Sequence, residues 1–336
     1  MRTSEILRAW KKILRGESPS LSIEITRECP LRCPGCYAYG SDHIGGGVTL
    51  RELSDYKGQE LVTNIMQVVD RYQPLHLSLV GGDPLVRYRE LEQLVPLITD
   101  RGIHLQIVTS AFRSFPLSWS QNRLVNVVVS IDGLEAEHDV RRAPATYQRI
   151  LANIAGQKIT VHCTITGQMM KRASYLKEFV EFWSARDEIK KIWFSIFTPQ
   201  MGESLPEILT PSQRSQVIAD LTSLRRPYPK LDMPVEMLRQ FASPPASPSD
   251  CIFAQTTTTI SANLTSLITP CQFGGNPDCS QCGCAASMGL AAVGDHKLGG
   301  FIPIKPIFDL SLRIGRARSK AEPANAIAEN PFQVLR

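Results

Sequence analysis

Short apolar runs alternate along the chain with longer segments in which apolar residues recur every three or four positions. The short runs predict strands and the longer segments predict helices. Strand candidates occupy residues 21–26, 75–80, 103–109, 124–131, 158–165 and 191–197, and helical patterns occupy residues 50–72, 88–100, 145–154, 174–185 and 212–225. Because strands that alternate with helices form parallel sheets with right-handed crossovers, we predict an α/β fold, an open or partial (β/α)6 barrel with a small C-terminal cysteine-rich extension. Such barrels place their chemistry at the carboxyl ends of the strands.

The two ends of the chain differ from this central pattern. Near the start, Ile6, Trp10 and Ile13 share one face of a predicted helix whose other side is basic. This pattern fits a helix on a membrane surface or one that packs its apolar face on the main domain, and we favour the packed helix. A Pro/Ser-rich stretch at residues 243–250 cannot form regular structure and marks a domain boundary. The predicted parts are an amphipathic helix (1–20), a barrel (21–242), a linker (243–250), an extension (251–300) with a hairpin of residues 256–260 and 264–269, and a frayed tail (301–336).

Composition and charge narrow the function classes. The 336 residues are 43% hydrophobic and 21% charged, the mixture of a soluble globular protein. The net charge of +5 permits contact with an anionic ligand or membrane surface but does not imply nucleic-acid binding. No uncharged apolar run can span a bilayer and no apolar stretch follows Met1. We therefore expect a cytoplasmic protein with no nucleic-acid partner.

Nine cysteines are the strongest chemical signal, and eight of them form two groups. In a long chain without signs of secretion, clustered thiols more often bind metal than form disulfides. The first group, Cys29, Cys33 and Cys36, lies in a proline-containing loop after the first strand candidate. Such a loop can turn three thiolates toward an iron–sulfur cluster and leave one iron open to a substrate or co-substrate. The alternative is a zinc site, for which His43 is a weak candidate ligand.

This spacing resembles the signature of the radical S-adenosylmethionine (SAM) superfamily, and the resemblance extends over about residues 21–200. It implies that Cys29, Cys33 and Cys36 are the catalytic residues that hold a [4Fe–4S] cluster, with SAM at the open iron. The superfamily often has an aromatic residue just before the third cysteine, where this chain has Gly35. Tyr37 is therefore the candidate for contact with the adenine of SAM.

Gly81, Gly82 and Asp83 follow the second strand candidate. Glycines let the backbone come close to a ligand, and the carbonyls and the carboxylate can accept hydrogen bonds from an ammonium group. The run is similar to the Gly-Gly-Glu motif of the superfamily, which holds the amino group of SAM. The same role is therefore expected here, with Asp in place of Glu.

Ser130 and Asp132 follow the fourth strand candidate and point to the same side of it. The run at residues 129–142 resembles the branch of the superfamily that carries a SPASM or twitch extension. In that branch the Ser and the Asp contact the nucleoside of SAM. The resemblance further implies that Arg141 or Arg142 pairs with the SAM carboxylate, whose geometry a guanidinium matches.

The second cysteine group lies in the predicted extension. A hairpin would bring Cys251 and Cys271 together, and Cys279 with Cys282 forms a pair able to bind one metal centre. Four such thiolates would complete a second cluster, and Cys284 could replace one of them. A four-cysteine zinc site shows the same spacing. The resemblance favours a shortened, twitch-like extension with one auxiliary [4Fe–4S] cluster.

The resemblance implies an enzyme that reductively cleaves SAM to a 5′-deoxyadenosyl radical, which takes a hydrogen atom from a peptide or small-metabolite substrate. It also implies a low-potential electron donor such as flavodoxin or ferredoxin. Two alternatives stay open. One is a non-catalytic iron–sulfur or zinc-binding electron carrier or assembly protein, which explains the cysteines but neither Gly81–Asp83 nor Ser130–Asp132. The other is a radical SAM enzyme that acts on a lipid-linked substrate through peripheral membrane contact of the N-terminal helix.

Overall fold

A seven-stranded parallel sheet forms the centre of the computed structural model, which describes residues 3–142, 144, 147–298 and 301–321. Its strands are β1 (Ser20–Glu24), β2 (His76–Val80), β3 (His104–Thr109), β4 (Val125–Ser130), β5 (Ile159–Ile165), β6 (Ile189–Ile196) and β7 (Thr257–Ile260). They lie in the order β6-β5-β4-β3-β2-β1-β7. The predicted parallel α/β fold and all six predicted strands are confirmed, and β7 extends the sheet beyond β1.

Helices connect the strands and follow the sheet. They are α1 (Thr3–Leu14), α2 (Gly58–Tyr72), α3 (Tyr88–Thr99), α4 (Leu117–Gln121), α5 (Glu135–Arg141), α6 (Tyr147–Ile154), α7 (Tyr175–Ser184), α8 (Pro211–Leu224), α9 (Val235–Gln240), α10 (Ile252–Thr256), α11 (Ala285–Asp295) and α12 (Ile304–Ala321). A short antiparallel pair, β8 (Lys297–Leu298) and β9 (Ile302–Pro303), precedes α12. No helix among these residues is long and apolar enough to cross a membrane.

Two predicted helices differ from the structure at their ends. The helix predicted at 50–72 is a short 3-10 turn at Leu50–Glu52, closed by a capping box from Thr49, followed by α2 from Gly58. The first two residues of the helix predicted at 145–154 lie outside the described part, and α6 follows them. Of the predicted tail, residues 301–321 are described and contain β9 and α12, whereas residues 322–336 lie outside.

The sheet has one aliphatic face and one polar face. Leu21, Ile23 and their counterparts on the other strands belong to a core cluster shared with α2, α3, α6 and α7. On the opposite face, Ser22, Ser78, Gln106 and Asn126 are neighbours in register on β1 to β4. The aliphatic face thus holds the helices on the sheet and leaves the polar face to line the interior of the open barrel.

The apolar face of α1 is packed, as the sequence analysis favours, but its partner is α12. Trp10 donates its indole N–H to Ser311 Oγ at 2.9 Å, and its ring meets Phe308 edge-on at 6.2 Å. Gly315 permits this approach, because a Cβ there would lie 2.1 Å from the carbonyl oxygen of Ile13. The first and last described helices therefore form a pair.

The turn of the predicted hairpin is present, because Ile260 and Leu267 form an antiparallel bridge and the Ile268 N–H donates to the Thr259 carbonyl at 2.9 Å. The first strand of the hairpin, β7, also pairs in parallel with β1, with Thr259 beside Ser22, which the sequence did not indicate. The edge of β1 offers a longer hydrogen-bonding partner than the segment after the turn does. A strand from the predicted extension therefore lies in the main sheet, whereas the predicted linker at 243–250 contains neither helix nor strand.

Candidate active site

The first cysteine loop begins where β1 ends. Cys29, Cys33 and Cys36 are half-buried free thiols, and Cys36 N–H closes a turn on the Cys33 carbonyl at 3.3 Å. Gly35 has a φ of +62° and faces the ring of Phe197, which a Cβ would approach to 2.9 Å. Burial, together with the nearby Asp83 carboxylate and the other two thiols, raises the pKa of Cys29 to about 12. A bound metal centre would lower the pKa of these thiols, because it binds their deprotonated form. Three thiol side chains in one loop therefore fit an iron–sulfur cluster.

Ion pairs fasten this loop to the end of β2. Arg87 bonds to Asp55 at 2.7 Å and to Glu28 at 3.2 Å, and Lys57 lies 2.8 Å from the same Glu28 carboxylate. The hydrogen bonds from Arg87 and Lys57 lower the pKa of Glu28 to about 2. The residue directly before the first cysteine is therefore ionised at neutral pH and tied to the turn that follows β2.

The structure explains the two glycines of that turn by the chain's own backbone. Gly81 and Gly82 have φ values of +76° and +51°. A Cβ on Gly82 would lie 2.1 Å from the Glu28 carbonyl oxygen, and one on Gly81 would lie 2.3 Å from Glu24 Cβ. The glycines thus allow the ends of β1 and β2 to meet. The sequence alone suggested that they allow a ligand to approach the backbone.

Asp83 is buried and already has four protein donors. Its carboxylate accepts the side-chain O–H and backbone N–H of Ser110, the Thr109 hydroxyl at 2.6 Å and the Leu85 N–H at 3.0 Å. Burial outweighs these bonds and raises the pKa of the carboxyl group. Asp83 therefore joins the ends of β2 and β3, and its contact with the amino group of SAM stays a prediction.

Asp132 is a buried carboxylate that pairs with Arg141, the last residue of α5, and with Arg142, which follows it. It accepts from Arg142 Nε at 2.9 Å, from Arg141 Nε at 3.3 Å and from the Thr164 N–H at 2.8 Å. Burial opposes its ionisation, but Arg142 and Arg141 prevail and lower its pKa to about 2. Arg141 also donates to the Pro34 carbonyl at 3.3 Å and so reaches the first cysteine loop. Asp132 and Arg141 thus lie beside that loop, and the contacts with SAM expected of Ser130, Asp132 and Arg141 stay predictions.

A histidine that the sequence analysis does not single out lies next to Ser130. His162 pairs in register with Ser130 across β4 and β5, and its Nε2 is 2.8 Å from Ser195 Oγ. Ser195 in turn accepts the N–H of Ala285, the first residue of α11. Burial lowers the pKa of His162 to about 4, so the ring is neutral at pH 7. The only sign of His162 in the sequence is its position as a polar residue within the strand candidate at 158–165.

The second cysteine group meets at a single cavity. Five cysteines line it together with Thr198, Phe273 and Ser287; they are Cys251, Cys271, Cys279, Cys282 and Cys284. Cys251 Sγ lies 3.1 Å from Ser287 Oγ, and the amide of Gln272 donates to Cys284 Sγ at 3.2 Å. Burial raises the pKa of Cys271 to about 12 and that of Cys279 to about 11. The structure therefore brings together all five cysteines that the sequence analysis groups.

The segment that carries Cys282 and Cys284 packs against the end of β6. The Ile196 N–H donates to the Gly283 carbonyl at 2.9 Å, and a Cβ on Gly283 would lie 2.1 Å from the Ile196 carbonyl oxygen. The residue between two cysteines is therefore a glycine because a strand end runs directly against it. In the described part of the chain, no three His, Cys, Asp or Glu side chains converge on a single metal-ion position.

Tyr37 and His43 lie between the two cysteine groups. The Tyr37 ring packs against the rings of Phe273 at 5.3 Å and His43 at 5.7 Å. His43, the weak zinc candidate of the sequence analysis, has its Nε2 2.8 Å from Glu24 Oε1. Glu24 ends β1 and is not among the sequence candidates, because its partner is distant along the chain. The adenine contact expected of Tyr37 stays a prediction.

Comparisons with known proteins agree with this arrangement. The sequence model of the radical SAM superfamily matches residues 23–198, more than half of the chain. A probable GTP 3′,8-cyclase of Methanocella arvoryzae is 27% identical over 120 residues, which are 35% of this chain and 36% of that protein. An S-adenosylmethionine-dependent nucleotide dehydratase of Psychrobacter lutiphocae is 25% identical over 118 residues, 33% of this chain and 39% of that protein. The chain thus matches less than half the length of either relative.

Two solved structures share the fold. Streptococcus suis SuiB bound to the precursor peptide SuiA superposes with a TM-score of 0.55 at 15% identity, over 80% of this chain and 63% of that one. Native anSMEcpe with bound AdoMet superposes with a TM-score of 0.55 at 16% identity, over 76% of this chain and 75% of that one.

Proposed function

This chain belongs to the radical SAM superfamily, and we propose that it is an enzyme that cleaves SAM reductively and removes a hydrogen atom from its substrate. The observation that carries the proposal is the meeting of three motifs at the carboxyl ends of β1, β2 and β4. The Glu28 carbonyl accepts the Asp83 N–H at 2.9 Å, and Arg141 joins Pro34 to Asp132. These three connected strand ends, with the first cysteine loop, Gly81–Asp83 and Ser130–Asp132, form the rim of the site. A carrier protein needs the cysteines but does not need this rim.

The residues of the rim have separate tasks in this proposal. Cys29, Cys33 and Cys36 hold a [4Fe–4S] cluster, which when reduced supplies the electron that splits SAM into methionine and the 5′-deoxyadenosyl radical. The turn at Gly81 and Gly82 fixes the backbone next to the cysteine loop. Ser130 and the Asp132–arginine group orient the nucleoside and carboxylate of SAM, and Tyr37 closes the side toward the adenine.

We further propose that the second cysteine group holds an auxiliary [4Fe–4S] cluster in a twitch-like extension. Cys251, Cys271, Cys279 and Cys282 are the preferred ligands and Cys284 is the fifth candidate. The shared cavity supports the proposal, because cysteine side chains from two helix starts and a connecting loop line one space. A zinc ion is the alternative occupant.

The substrate class follows less directly. SuiB is known with a bound precursor peptide, and the two curated relatives carry names of nucleotide-modifying enzymes. A peptide or a small metabolite is therefore the proposed substrate, and a low-potential donor such as flavodoxin or ferredoxin is the proposed source of electrons.

Anaerobic reconstitution followed by iron and zinc analysis tests the two metal sites together. Two clusters predict about eight irons per chain, whereas one cluster with zinc predicts about four. The Cys29→Ala, Cys33→Ala and Cys36→Ala triple variant should lose about four irons and all formation of 5′-deoxyadenosine. A triple variant that still forms 5′-deoxyadenosine would contradict the assignment of the first group.

The helix pair α1 and α12 also supports the proposed peripheral membrane contact. α1 carries three basic residues and one acidic residue, and α12 carries five basic residues and one acidic residue. The net charge of the two helices is therefore more positive than the net charge of +5 of the whole chain. Leu7 and Leu310, on the same two helices, are 66% and 55% exposed. Anionic lipid attracts such a surface.

Vesicle sedimentation tests this contact. The Arg8→Glu and Arg313→Glu double variant should bind phosphatidylglycerol vesicles at least tenfold more weakly than the parent, whereas Arg123→Glu, an exposed charge reversal elsewhere, should not. Equal binding by all three proteins, or no binding by the parent, would refute the membrane contact.

A further inference from the structure

A buried histidine joins four separate parts of the chain. His43 lies in the loop after the first cysteine group, and its side chain has no exposed surface. Its Nε2 is 2.8 Å from Glu24 at the end of β1, and its Nδ1 is 2.9 Å from the Phe273 carbonyl oxygen in the second cysteine group. The Ser261 hydroxyl, just after β7, donates to the second oxygen of Glu24 at 2.7 Å.

The backbone around this histidine is equally close. A Cβ on Gly274 would lie 1.8 Å from the His43 carbonyl oxygen, so only glycine fits beside it. The Tyr37 ring lies against both His43 and Phe273. Tyr37 directly follows Cys36, and Phe273 is two residues after Cys271. The two cysteine loops therefore meet at His43, Tyr37 and Phe273.

The partners of the imidazole define what it does. A backbone carbonyl can only accept a hydrogen bond, and an ionised carboxylate can only accept as well. The Phe273 carbonyl therefore requires a proton on Nδ1 of the ring. Burial is the largest single effect on the pKa of His43 and lowers it, but the hydrogen bond and charge of Glu24, together with the Phe273 carbonyl, outweigh burial and raise that pKa. The ring is thus held by Glu24 at Nε2 and donates to the second cysteine group from Nδ1.

We propose that His43 is a positioning residue that holds the auxiliary cysteine segment at Cys271–Phe273 in a fixed place against the SAM cluster loop. The inference rests on the proposed function, because it concerns how the proposed second metal centre is positioned relative to the proposed first one. Glu24 holds the His43 ring in place, and the Ser261 hydroxyl fixes the Glu24 carboxylate. Without the His43 N–H, the Phe273 carbonyl loses its donor and the segment that carries Cys271 moves relative to the cavity.

The spectrum and potential of the second centre test the inference without any substrate. In the full-length Cys29→Ala, Cys33→Ala and Cys36→Ala protein, only the second group can be loaded, so iron content, electron paramagnetic resonance and midpoint potential report on it alone. His43→Leu should at least halve its iron content and should change both its g values and its midpoint potential. His43→Gln, which keeps an amide donor, should restore part of each effect and covers the case in which His43→Leu does not fold.

A second histidine–glutamate pair provides the control. His104 lies 3.0 Å from Glu5 but is 46% exposed at the amino-terminal end of β3. His104→Gln should leave the spectrum and potential of the second centre unchanged. A His43 variant that loses stability while its spectrum and potential equal those of the parent would overturn the positioning role. A parent that binds no iron at the second group would overturn the auxiliary cluster itself, and this inference with it.

Discussion

Replacing Asp132 with Asn tests how the rim around the first cysteine loop is held together. The substitution keeps an oxygen for the Thr164 N–H but removes the charge that neutralises Arg141 and Arg142. The three side chains are 3%, 12% and 17% exposed. Arg141 would keep Glu207 at 3.7 Å, but Arg142 would be left mostly buried with no other ion-pair partner among the described residues. Removing one partner of a buried ion pair costs about 3–5 kcal/mol.

The expected change in melting temperature follows from chain length. At about 2.1 cal/mol/K per residue, 336 residues unfold with an entropy of about 0.7 kcal/mol/K, so Asp132→Asn should lower Tm by about 4–7 °C. The assay is anaerobic thermal unfolding of parent and variant under the same cofactor load. Asp232→Asn is the matched control, because Asp232 pairs with Lys191 at the surface, where both side chains are nearly half exposed.

Exposed pairs of this kind contribute at most about 1 kcal/mol. The control should therefore shift Tm by less than about 1.5 °C. If Asp132→Asn and Asp232→Asn lower Tm equally, the buried pair does not hold the rim, and the reasoning from burial is refuted.

Three further predictions follow from the same contacts. Because the folded pKa of Asp132 is lowered to about 2, its contribution to stability is present above about pH 4 and is lost between about pH 4 and pH 2; the parent should lose more stability than Asp132→Asn in an acid titration followed by circular dichroism. Gly82→Ala should cost more than about 2 kcal/mol in urea unfolding, because its Cβ meets the Glu28 carbonyl, whereas Gly102→Ala, which has a similar positive φ and open space around it, should cost about 1 kcal/mol, and equal losses would contradict the close approach. Cys279→Ala with Cys282→Ala should remove about four irons and leave cleavage of SAM intact, and loss of all iron would show that the two centres do not load separately.

The strands could be predicted because their signal is local. Each of the six runs combines apolar residues with a boundary of turn residues, and the structure confirms all of them. The pairing of β7 with β1 could not be predicted, because the local pattern of Thr257–Ile260 is the same with or without a second partner beyond the segment that follows it. The helix α12 was missed because its apolar residues, such as Phe308 and Leu312, are interrupted by Arg and Ser and become a face only against α1.

The candidate site was predictable to the extent that it depends on spacing. The cysteines, the glycine turn and the Ser–Asp pair are short motifs, and the structure places them at one rim. The partners of their side chains are contacts between distant parts of the chain. Asp83 takes its donors from β3, and His43 takes its partners from β1 and the second cysteine group. No local pattern contains these pairings.

The most direct measurement of the central claim is the formation of 5′-deoxyadenosine by the reconstituted protein. Under anaerobic conditions with dithionite and SAM, the parent should release 5′-deoxyadenosine together with methionine, and the variant without Cys29, Cys33 and Cys36 should release neither. A fully loaded parent that leaves SAM uncleaved would contradict the assignment of these three cysteines and of the activity built on them.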